Sequence, residues 1–145
     1  MKENKEKDEK DNIEAKAILI GDAGVGKTSL IRAASNQKFS ENLASTLATN
    51  CTEKKIKIDS LNYSVNLWDT VGQERFINVN KIFYKGSDIV IFVFDVKVKQ
   101  TFESLDKWIT NVKDNIDSNS KYVCAIVGNK KDLIDEDEDD RSTNN

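Results

Sequence analysis

Residues 21–28 constrain the fold of this chain more than any other segment, because they read GDAGVGKT and match the phosphate-loop pattern at every fixed position. An apolar run over residues 15–20 predicts a buried strand before the loop, and residues 27–35 predict a helix after it. In that setting the glycines let the backbone wrap around a phosphate, so that N–H groups and the positive end of the helix dipole face the anion. A purely structural glycine turn is the less favoured alternative.

The side chains of this loop have predicted roles in binding. Lys27 would reach the β- and γ-phosphates of a nucleotide, and the Thr28 hydroxyl would ligate Mg²⁺. The other residues predicted to surround the phosphates are Asp22, Ala23, Gly24, Val25, Gly26 and Ser29. The sequence therefore predicts a nucleotide and magnesium site at the end of the first strand.

A second polar segment, residues 68–76, reads WDTVGQERF and follows another strand-like stretch. Asp69 lies at the predicted strand end, where a carboxylate suits a water-mediated contact to Mg²⁺. Gly72 has no side chain, so its N–H can approach a γ-phosphate. An Asp-x-x-Gly sequence alone is more often an ordinary turn, but the complete segment favours the functional interpretation.

A third segment, residues 129–132, reads NKKD and follows the last predicted strand. The Asp132 carboxylate only accepts hydrogen bonds, and guanine presents it with two donors, N1–H and the exocyclic amine, that adenine does not offer. Asn129 would meet the other edge of the base and tie this loop to the phosphate loop, and the stem of Lys130 would lie on one face of the base. Alone, this tetrapeptide is a solvated turn in most proteins; after a strand of an α/β fold, it indicates selection of guanine.

The remaining periodicity predicts strands and helices in alternation. Two alternating stretches joined by a four-residue turn predict a hairpin, and a weak helix is expected to end near Tyr84. Residues 101–116 predict a helix that places Phe102, Leu105, Ile109 and Val112 on one face. The predicted strands after the first occupy residues 51–58, 63–68, 89–94 and 122–127, and the last two are expected to be buried. We therefore expect an α/β fold with a mostly parallel central sheet and helices on both faces.

Composition excludes several functions. The chain has no histidine, which excludes Ser-His triads, histidine-bound zinc and imidazole proton shuttles. Its two cysteines, Cys51 and Cys124, lie in strand-like stretches, which favours a reduced cytosolic setting, and Cys124 is expected to be a buried small hydrophobe. The longest apolar run, residues 89–94, is too short to cross a bilayer. No dense lysine and arginine cluster is flanked by aromatic residues, so nucleic-acid binding is not expected.

Both ends of the chain are predicted to lie outside the domain. Residues 1–12 are almost all charged or amide-bearing, so we expect a disordered N-terminal segment there. Residues 135–140 read DEDEDD, within a predicted disordered acidic tail over residues 135–145. The acidic run lacks the glycine and spacing of a calcium-binding loop, which favours a solvated loop. The domain itself is predicted to occupy residues 13–134.

The three polar segments together resemble the Ras superfamily of small GTPases. The chain carries GDAGVGKTS, WDTVGQERF and GNKKD in that order, and the further matches FYKG at residues 83–86 and KWI at residues 107–109 are most similar to the Rab family. The resemblance covers roughly residues 13–134. It implies a P-loop NTPase fold (a G domain) with one antiparallel edge strand, guanine-nucleotide binding with Mg²⁺, and slow hydrolysis of GTP to GDP.

The resemblance also implies roles by position. Phe39 matches the aromatic residue that packs edge-on to the base, Thr46 matches the threonine that binds Mg²⁺ only in the GTP form, and Gln73 matches the glutamine that positions the attacking water. Lys27 and Gly72 complete the implied catalytic set. Family members work with an exchange factor, an activating protein that supplies an arginine, and effectors. A Rab-like identity implies vesicle traffic, with the protein in the cytoplasm or at the cytosolic face of endomembranes through its partners.

The sequence departs from the family in four places. Rab proteins usually continue after the switch threonine with Ile-Gly-x-Asp-Phe, whereas this chain has LATNC, so that the aromatic triad of the family becomes Cys51, Trp68 and Phe83 and lacks one ring. Ala23 replaces a position that is glycine in Ras. The chain stops at Asn145, so the last strand and C-terminal helix of the family are expected to be absent, and residues 142–145 contain no cysteine for prenylation.

These departures leave two further readings open. A shortened remnant that binds nucleotide weakly and acts through protein contacts is the alternative to a GTP-hydrolysing switch. An unrelated phosphate-loop ATPase is disfavoured by Asp132 and by the complete WDTVGQERF segment.

Overall fold

A computed structural model of the protein describes residues 12–39, 49–72 and 77–134, with the backbone alone for residues 77–80. Strands and helices alternate along these segments, as predicted. In chain order they are β1 (Asn12–Ile20), α1 (Lys27–Ala34), β2 (Asn50–Ile58), β3 (Leu61–Asp69), α2 (Ile77–Tyr84), β4 (Ile89–Asp95), α3 (Lys99–Glu103), α4 (Leu105–Asn115) and β5 (Val123–Asn129).

The strands form one sheet in the order β2-β3-β1-β4-β5. β1 runs parallel to both β3 and β4, and β4 runs parallel to β5, while β2 is antiparallel to β3 at the edge. The predicted fold class, a mostly parallel sheet with one antiparallel edge strand, is therefore confirmed. Since β1, β3, β4 and β5 point the same way, the loops that follow them meet at one edge of the sheet. The strand order reverses at β1, and an open α/β sheet binds its ligands at such a reversal.

The two faces of the sheet carry separate cores, because successive side chains of a strand point to opposite faces. On β1, Ile18 and Ile20 join the core beneath α2 and α4, whereas Leu19 joins the core beneath α1. Helices thus cover both faces, as predicted. Among the described residues, no helix combines the length and the apolar character that crossing a bilayer needs.

The hairpin turn is tighter than predicted. Ile58 pairs with Leu61, so two residues connect β2 to β3 where the sequence indicated four. Asp59 adopts a φ of +55°, a left-handed conformation that aspartate tolerates in short hairpin turns.

The helix predicted over residues 101–116 is wrong in one respect, since it is interrupted at Ser104 between α3 and α4. Phe102 therefore does not share the buried face of α4, contrary to the prediction. Its side chain is 55% exposed and packs edge-on against Phe94, with ring centroids 5.1 Å apart. Trp108, which the apolar pattern did not select, is 1% exposed and lies in the core between α4 and the sheet.

The expectation that the last strand and Cys124 are buried is also wrong. β5 pairs with β4 on one side and ends the sheet of the described residues, so that Val123 is 66% exposed and Ile126 is 57% exposed. Cys124 is exposed as well. An apolar run cannot by itself distinguish a central strand from an edge strand, because the difference lies in which neighbours the strand acquires.

Candidate nucleotide site

The loop between β1 and α1 bends sharply at Gly26. This residue has a φ of +99°, in the left-handed region that favours glycine, and it is the N-cap of α1. Because glycine brings no capping side chain, the first N–H groups of α1 are available to an anion bound in the loop. α1 then begins at Lys27, within the helix predicted from the sequence.

Lys27 lies folded back over this loop. Its side chain is buried, with 6% exposure, and its Nζ donates hydrogen bonds to the carbonyl oxygens of Gly21 and Asp22, both at 2.8 Å. Burial lowers the pKa of Lys27 to about 8, an effect that the nearby carboxylates of Asp69 and Asp22 partly oppose. The ammonium group is thus held at the position where the sequence predicts phosphate binding.

Gly72, just after β3, lies directly against Lys27. A Cβ atom at Gly72 would collide with the Nζ of Lys27 and would lie 2.5 Å from the carbonyl oxygen of Asp22. Only glycine fits here, and its backbone therefore closes one side of the cradle formed by the phosphate loop.

Thr28 and Asp69 contribute two oxygen atoms on the neighbouring side. The Thr28 hydroxyl donates to Asp69 Oδ2 at 2.6 Å, and Asp69 is buried at the end of β3. Thr70 fastens this strand end to β1, since its hydroxyl donates to the carbonyl oxygen of Leu19 at 2.5 Å. Mg²⁺ usually takes one or two hard protein oxygens and completes its shell with phosphate and water. Thr28 and Asp69 fit that preference.

Asn129 joins the third predicted segment to the phosphate loop. Its Nδ2 donates to the carbonyl oxygen of Val25 at 2.9 Å, across 104 residues of sequence. A Cβ atom at Gly26 would collide with the same Nδ2. The tie between these two loops is the one that the sequence predicted for Asn129.

Lys130 forms an ion pair with Asp95, a residue that the sequence pattern did not single out. Its backbone has a φ of +67°, and its Nζ lies 2.7 Å from Oδ2 of the buried Asp95 at the end of β4. Burial acts to raise the pKa of Asp95, but hydrogen bonds from Lys130 and Lys97 lower it below its usual value. The signal for Asp95 was present in the sequence, since it ends a strand as Asp69 does.

The other predicted site residues are less closely engaged. Asp132 is exposed in the turn after Lys130, and Phe39 is 74% exposed beyond the end of α1. Ala23 and Gly24 are exposed at the tip of the phosphate loop. Val25 is buried in the core beneath α1, and Ser29 is half-buried. Thr46 and Gln73 lie outside the described residues.

The residues of the predicted partner surface lie together on the other side of the molecule from α1. The rings of Trp68 and Phe83 have centroids 5.4 Å apart, and Cys51 pairs with Trp68 across the hairpin. Lys16 places its ammonium 5.3 Å from the Trp68 ring centroid, a cation–π distance. A partner surface with one thiol in place of a ring stays a prediction.

These features define the class of phosphate-loop nucleotide-binding domains. They are a strand, a glycine loop with a folded-back lysine, a helix N-terminus, and an acidic residue at the end of an adjacent strand. The sheet order brings all of them to one edge. The class follows from this geometry, and comparison with known sequences supplies the family.

The chain belongs to the Ras family, whose family model matches residues 16–144, and its similarity to curated relatives is Rab-like. It is 35% identical to the Ras-related protein RABG3d of Arabidopsis thaliana over 120 residues, which are 81% of this chain and 58% of that protein. It is 37% identical to the Ras-related protein Rab-7a of Dictyostelium discoideum over 120 residues, covering 81% of this chain and 59% of that protein. It is also 36% identical to the Ras-related protein YPTC6 of Chlamydomonas reinhardtii over 118 residues, covering 81% and 54%. The chain thus spans between half and two thirds of the length of these relatives.

Proposed function

We propose that this chain binds GTP and GDP together with Mg²⁺ and hydrolyses GTP to GDP as a molecular switch. The observation that carries the proposal is the hydrogen bond from Asn129 to the Val25 carbonyl, because it joins a guanine-type loop to a phosphate loop. A site that holds both parts of one nucleotide needs such a junction.

The described residues supply groups that would bind the phosphates. The Lys27 ammonium and the N–H groups at the start of α1 would stabilise the negative charge of the β- and γ-phosphates. The Gly72 N–H would donate to the γ-phosphate from the opposite side. Thr28 and Asp69 would hold Mg²⁺, which when bound neutralises charge on the phosphate oxygens.

Hydrolysis would be transfer of the γ-phosphoryl group to water, with positioning and charge stabilisation supplying nearly all of the catalysis. Gln73 would orient the water and Thr46 would bind Mg²⁺ only in the GTP form, as in the family. We propose that an activating protein supplies an arginine, so that hydrolysis by the chain alone is slow. Loss of the γ-phosphate would release the two loops around residues 40–50 and 70–82, which gives the switch its two states.

We propose a cellular role on the same basis. The resemblance to the Rab family implies vesicle traffic, in the cytoplasm or at the cytosolic face of endomembranes through partners. An exchange factor, an activating protein and effectors would then be the partners, and the pair of Trp68 and Phe83 beside Cys51 is the surface proposed for the effectors.

Base specificity provides the first test. We expect purified protein, once denatured, to release close to one GDP or GTP per chain, as measured by ion-exchange chromatography. Replacing Asp132 with asparagine would present a donor to the exocyclic group, so affinity should shift from GDP toward xanthosine diphosphate by about 10- to 100-fold. The exposed Asp114, in the last turn of α4, gives the matched control: Asp114→Asn should keep the preference for GDP. An empty soluble protein, or an intact guanine preference in Asp132→Asn, would contradict the proposal.

Nucleotide affinity should depend on pH through Lys27. The pKa of its ammonium is about 8 in the buried site, and a bound phosphate should raise it, so binding takes up a proton when the lysine is neutral. Affinity for GDP is therefore expected to be constant up to about pH 7 and to fall as the pH rises through about 8, approaching about tenfold per pH unit. Titration with a fluorescent GDP analogue measures this directly.

Lys27→Arg is the control for the pH dependence, because a guanidinium group stays protonated throughout this range. Its affinity is expected to start lower, since the fork of arginine does not fit a site shaped for an ammonium. Its dependence on pH above 8 should flatten. A wild-type affinity that does not change up to about pH 9.5 would contradict the assignment of Lys27 as the titrating phosphate ligand.

A further inference from the structure

The phosphate loop is hydrogen-bonded to α4, an element that contains none of the predicted nucleotide ligands. Trp108 Nε1 donates to Asp22 Oδ1 at 2.7 Å, across 86 residues of sequence. The indole is 1% exposed, so water cannot readily replace the partner that Trp108 would lose, whereas the Asp22 side chain is half-buried. A hydrogen bond to a carboxylate in such surroundings is stronger than one between neutral groups.

Asp22 connects this bond to the phosphate cradle. Its side chain accepts from α4, while its own backbone carbonyl accepts from Lys27 Nζ at 2.8 Å. The same carbonyl lies against Gly72, at the exit of β3. One residue therefore faces α4 with its side chain and forms part of the phosphate site with its main chain.

α4 has a second polar contact, to α2. The Tyr84 hydroxyl donates to Asn111 Oδ1 at 3.0 Å, and the Tyr84 side chain is fully buried. Burial raises the pKa of Tyr84 to about 12, so it remains a neutral donor at physiological pH. Asn111 follows Trp108 by three residues, which puts both on neighbouring turns of one helical face. α2 in turn follows the WDTVGQERF segment in the chain.

We propose that Trp108 is a positioning residue that fixes the phosphate loop through Asp22, and that α4 thereby links the phosphate loop to α2. The link runs from Asp22 through Trp108, along one turn of α4 to Asn111, and on to Tyr84. It rests on the proposed function, since it concerns how tightly the same site holds its nucleotide. A change in the conformation of the phosphate loop on nucleotide binding would alter the position of α2. By thermodynamic reciprocity, a change in the position of α2 would alter the affinity for nucleotide.

The first experiment removes the donor and keeps an aromatic ring. Trp108→Phe should release a fluorescent GDP analogue about tenfold faster than wild type, because the half-buried Asp22 carboxylate loses the donor that fixes the phosphate loop to α4. Val112→Ala is the matched control, since Val112 is buried on the same helix, in a core cluster that includes none of the predicted site residues. It should lower the melting temperature and leave the release rate within about twofold of wild type.

The second experiment tests the link to α2. Tyr84→Phe removes only a hydroxyl group, and it should speed release by a smaller factor, about twofold to fivefold. In the double variant with Trp108→Phe, the two effects should be non-additive, because after the first bond is lost the second no longer reaches the phosphate loop. Full additivity would overturn the proposed link between the two bonds.

A spectroscopic measurement reports on the bond itself. The chain has two tryptophans, so the indole N–H region of a nitrogen-15 correlation spectrum should contain two signals, of which Trp108→Phe removes one. That signal should move when Mg²⁺ and GDP are exchanged for Mg²⁺ and a non-hydrolysable GTP analogue. An unmoved signal would overturn the inference.

The outcomes distinguish a failure of the proposed function from a failure of the proposed role of Trp108. Wild-type protein that fails to bind the GDP analogue would overturn the proposed function and this inference with it. Wild-type protein that binds, together with equal release rates in Trp108→Phe and Val112→Ala, would overturn the inference alone. If Trp108→Phe does not fold, the bond is tested from the acceptor: Asp22→Ala should release the analogue about tenfold faster than Asp22→Asn, whose amide oxygen still accepts the indole N–H. Equal rates in these two variants would overturn it.

Discussion

Gly26→Ala is expected to reduce affinity for both GDP and GTP by at least about 100-fold. Gly26 has a φ of +99°, and a Cβ atom there would collide with Asn129 Nδ2. Asn129 would have to move, and its hydrogen bond to the Val25 carbonyl would be lost. That bond aligns residues 129–132, which are proposed to bind the base, with the phosphate loop. The added methyl group should therefore disturb the positions of both loops. Losing one such bond together with contacts on both sides of it corresponds to about two orders of magnitude in affinity.

Gly86→Ala is the control that has the backbone strain of a positive φ without the collision expected in Gly26→Ala. Gly86 also has a positive φ, of +68°, but a Cβ atom there would meet nothing within 4 Å. It lies between α2 and β4, away from the proposed nucleotide site. This variant should lose about 1 kcal/mol of stability and retain its affinity for GDP. Calorimetric titration of both variants with GDP, beside thermal melts, makes the comparison. Equal affinities in the two variants would show that the contact between Gly26 and Asn129 does not hold the site together.

The parts of the proposed site that the sequence predicts depend on local pattern and on one rule of topology. A strand, a glycine loop and a helix are consecutive in the chain, so the folded-back position of Lys27 follows from residues within eight positions of it. The convergence of Asp69 and Asn129 needs only that parallel strands place their carboxyl ends at one edge of a sheet. The observed order β2-β3-β1-β4-β5 satisfies that requirement, with β1 between β3 and β4.

Several features that the sequence does not reveal depend on contacts between distant segments. Trp108 reaches Asp22 across 86 residues, and no periodicity within α4 indicates that its indole N–H has a carboxylate partner. Asp95 pairs with Lys130 because β4 and β5 are neighbours in register, Asp95 opposite Asn129. The exposure of β5 likewise depends on which strand lies beside it. Pattern analysis assigns a residue to an element, whereas its partners are decided by the packing of elements.

These distant contacts also show how the site is held together. Among the described residues, two loops of the proposed site are fixed to other elements. Trp108 ties the phosphate loop to α4, and residues 129–132 are tied to the phosphate loop by Asn129 and to the end of β4 by the ion pair of Lys130 with Asp95. Loops with such ties hold their backbone donors in place before the ligand arrives, which reduces the ordering that binding requires. Thr46 and Gln73, which the resemblance to the family assigns to the proposed switch, lie outside the described residues.

Gly72→Ala should distinguish the γ-phosphate site from the rest of the nucleotide site. The added Cβ would lie against Lys27 Nζ and 2.5 Å from the Asp22 carbonyl oxygen, so either the ammonium or the segment after β3 must shift. In both cases the Gly72 N–H moves away from the position proposed for the γ-phosphate. The contacts proposed for the β-phosphate, at the start of α1, remain. We therefore expect GDP affinity to change by less than about tenfold, and both GTP affinity relative to GDP and the hydrolysis rate to fall by about 100-fold, as when one pre-oriented donor is removed.

The ratio of GTP to GDP affinity is the decisive quantity, because the proposed intrinsic hydrolysis is slow. It is measured in parallel titrations with a non-hydrolysable GTP analogue and with GDP. Single-turnover phosphate release adds the rate. Gly86→Ala serves again as the matched control, and it should keep the wild-type ratio because its methyl group enters open space. Gly26→Ala should lose both nucleotides together, whereas Gly72→Ala should lose mainly GTP. If Gly72→Ala instead lowered the affinities for GDP and GTP equally, the substitution would act only because its methyl group crowds Lys27. The proposal that the Gly72 N–H binds the γ-phosphate would then be wrong. The switch would then have to detect its nucleotide through Thr46 alone.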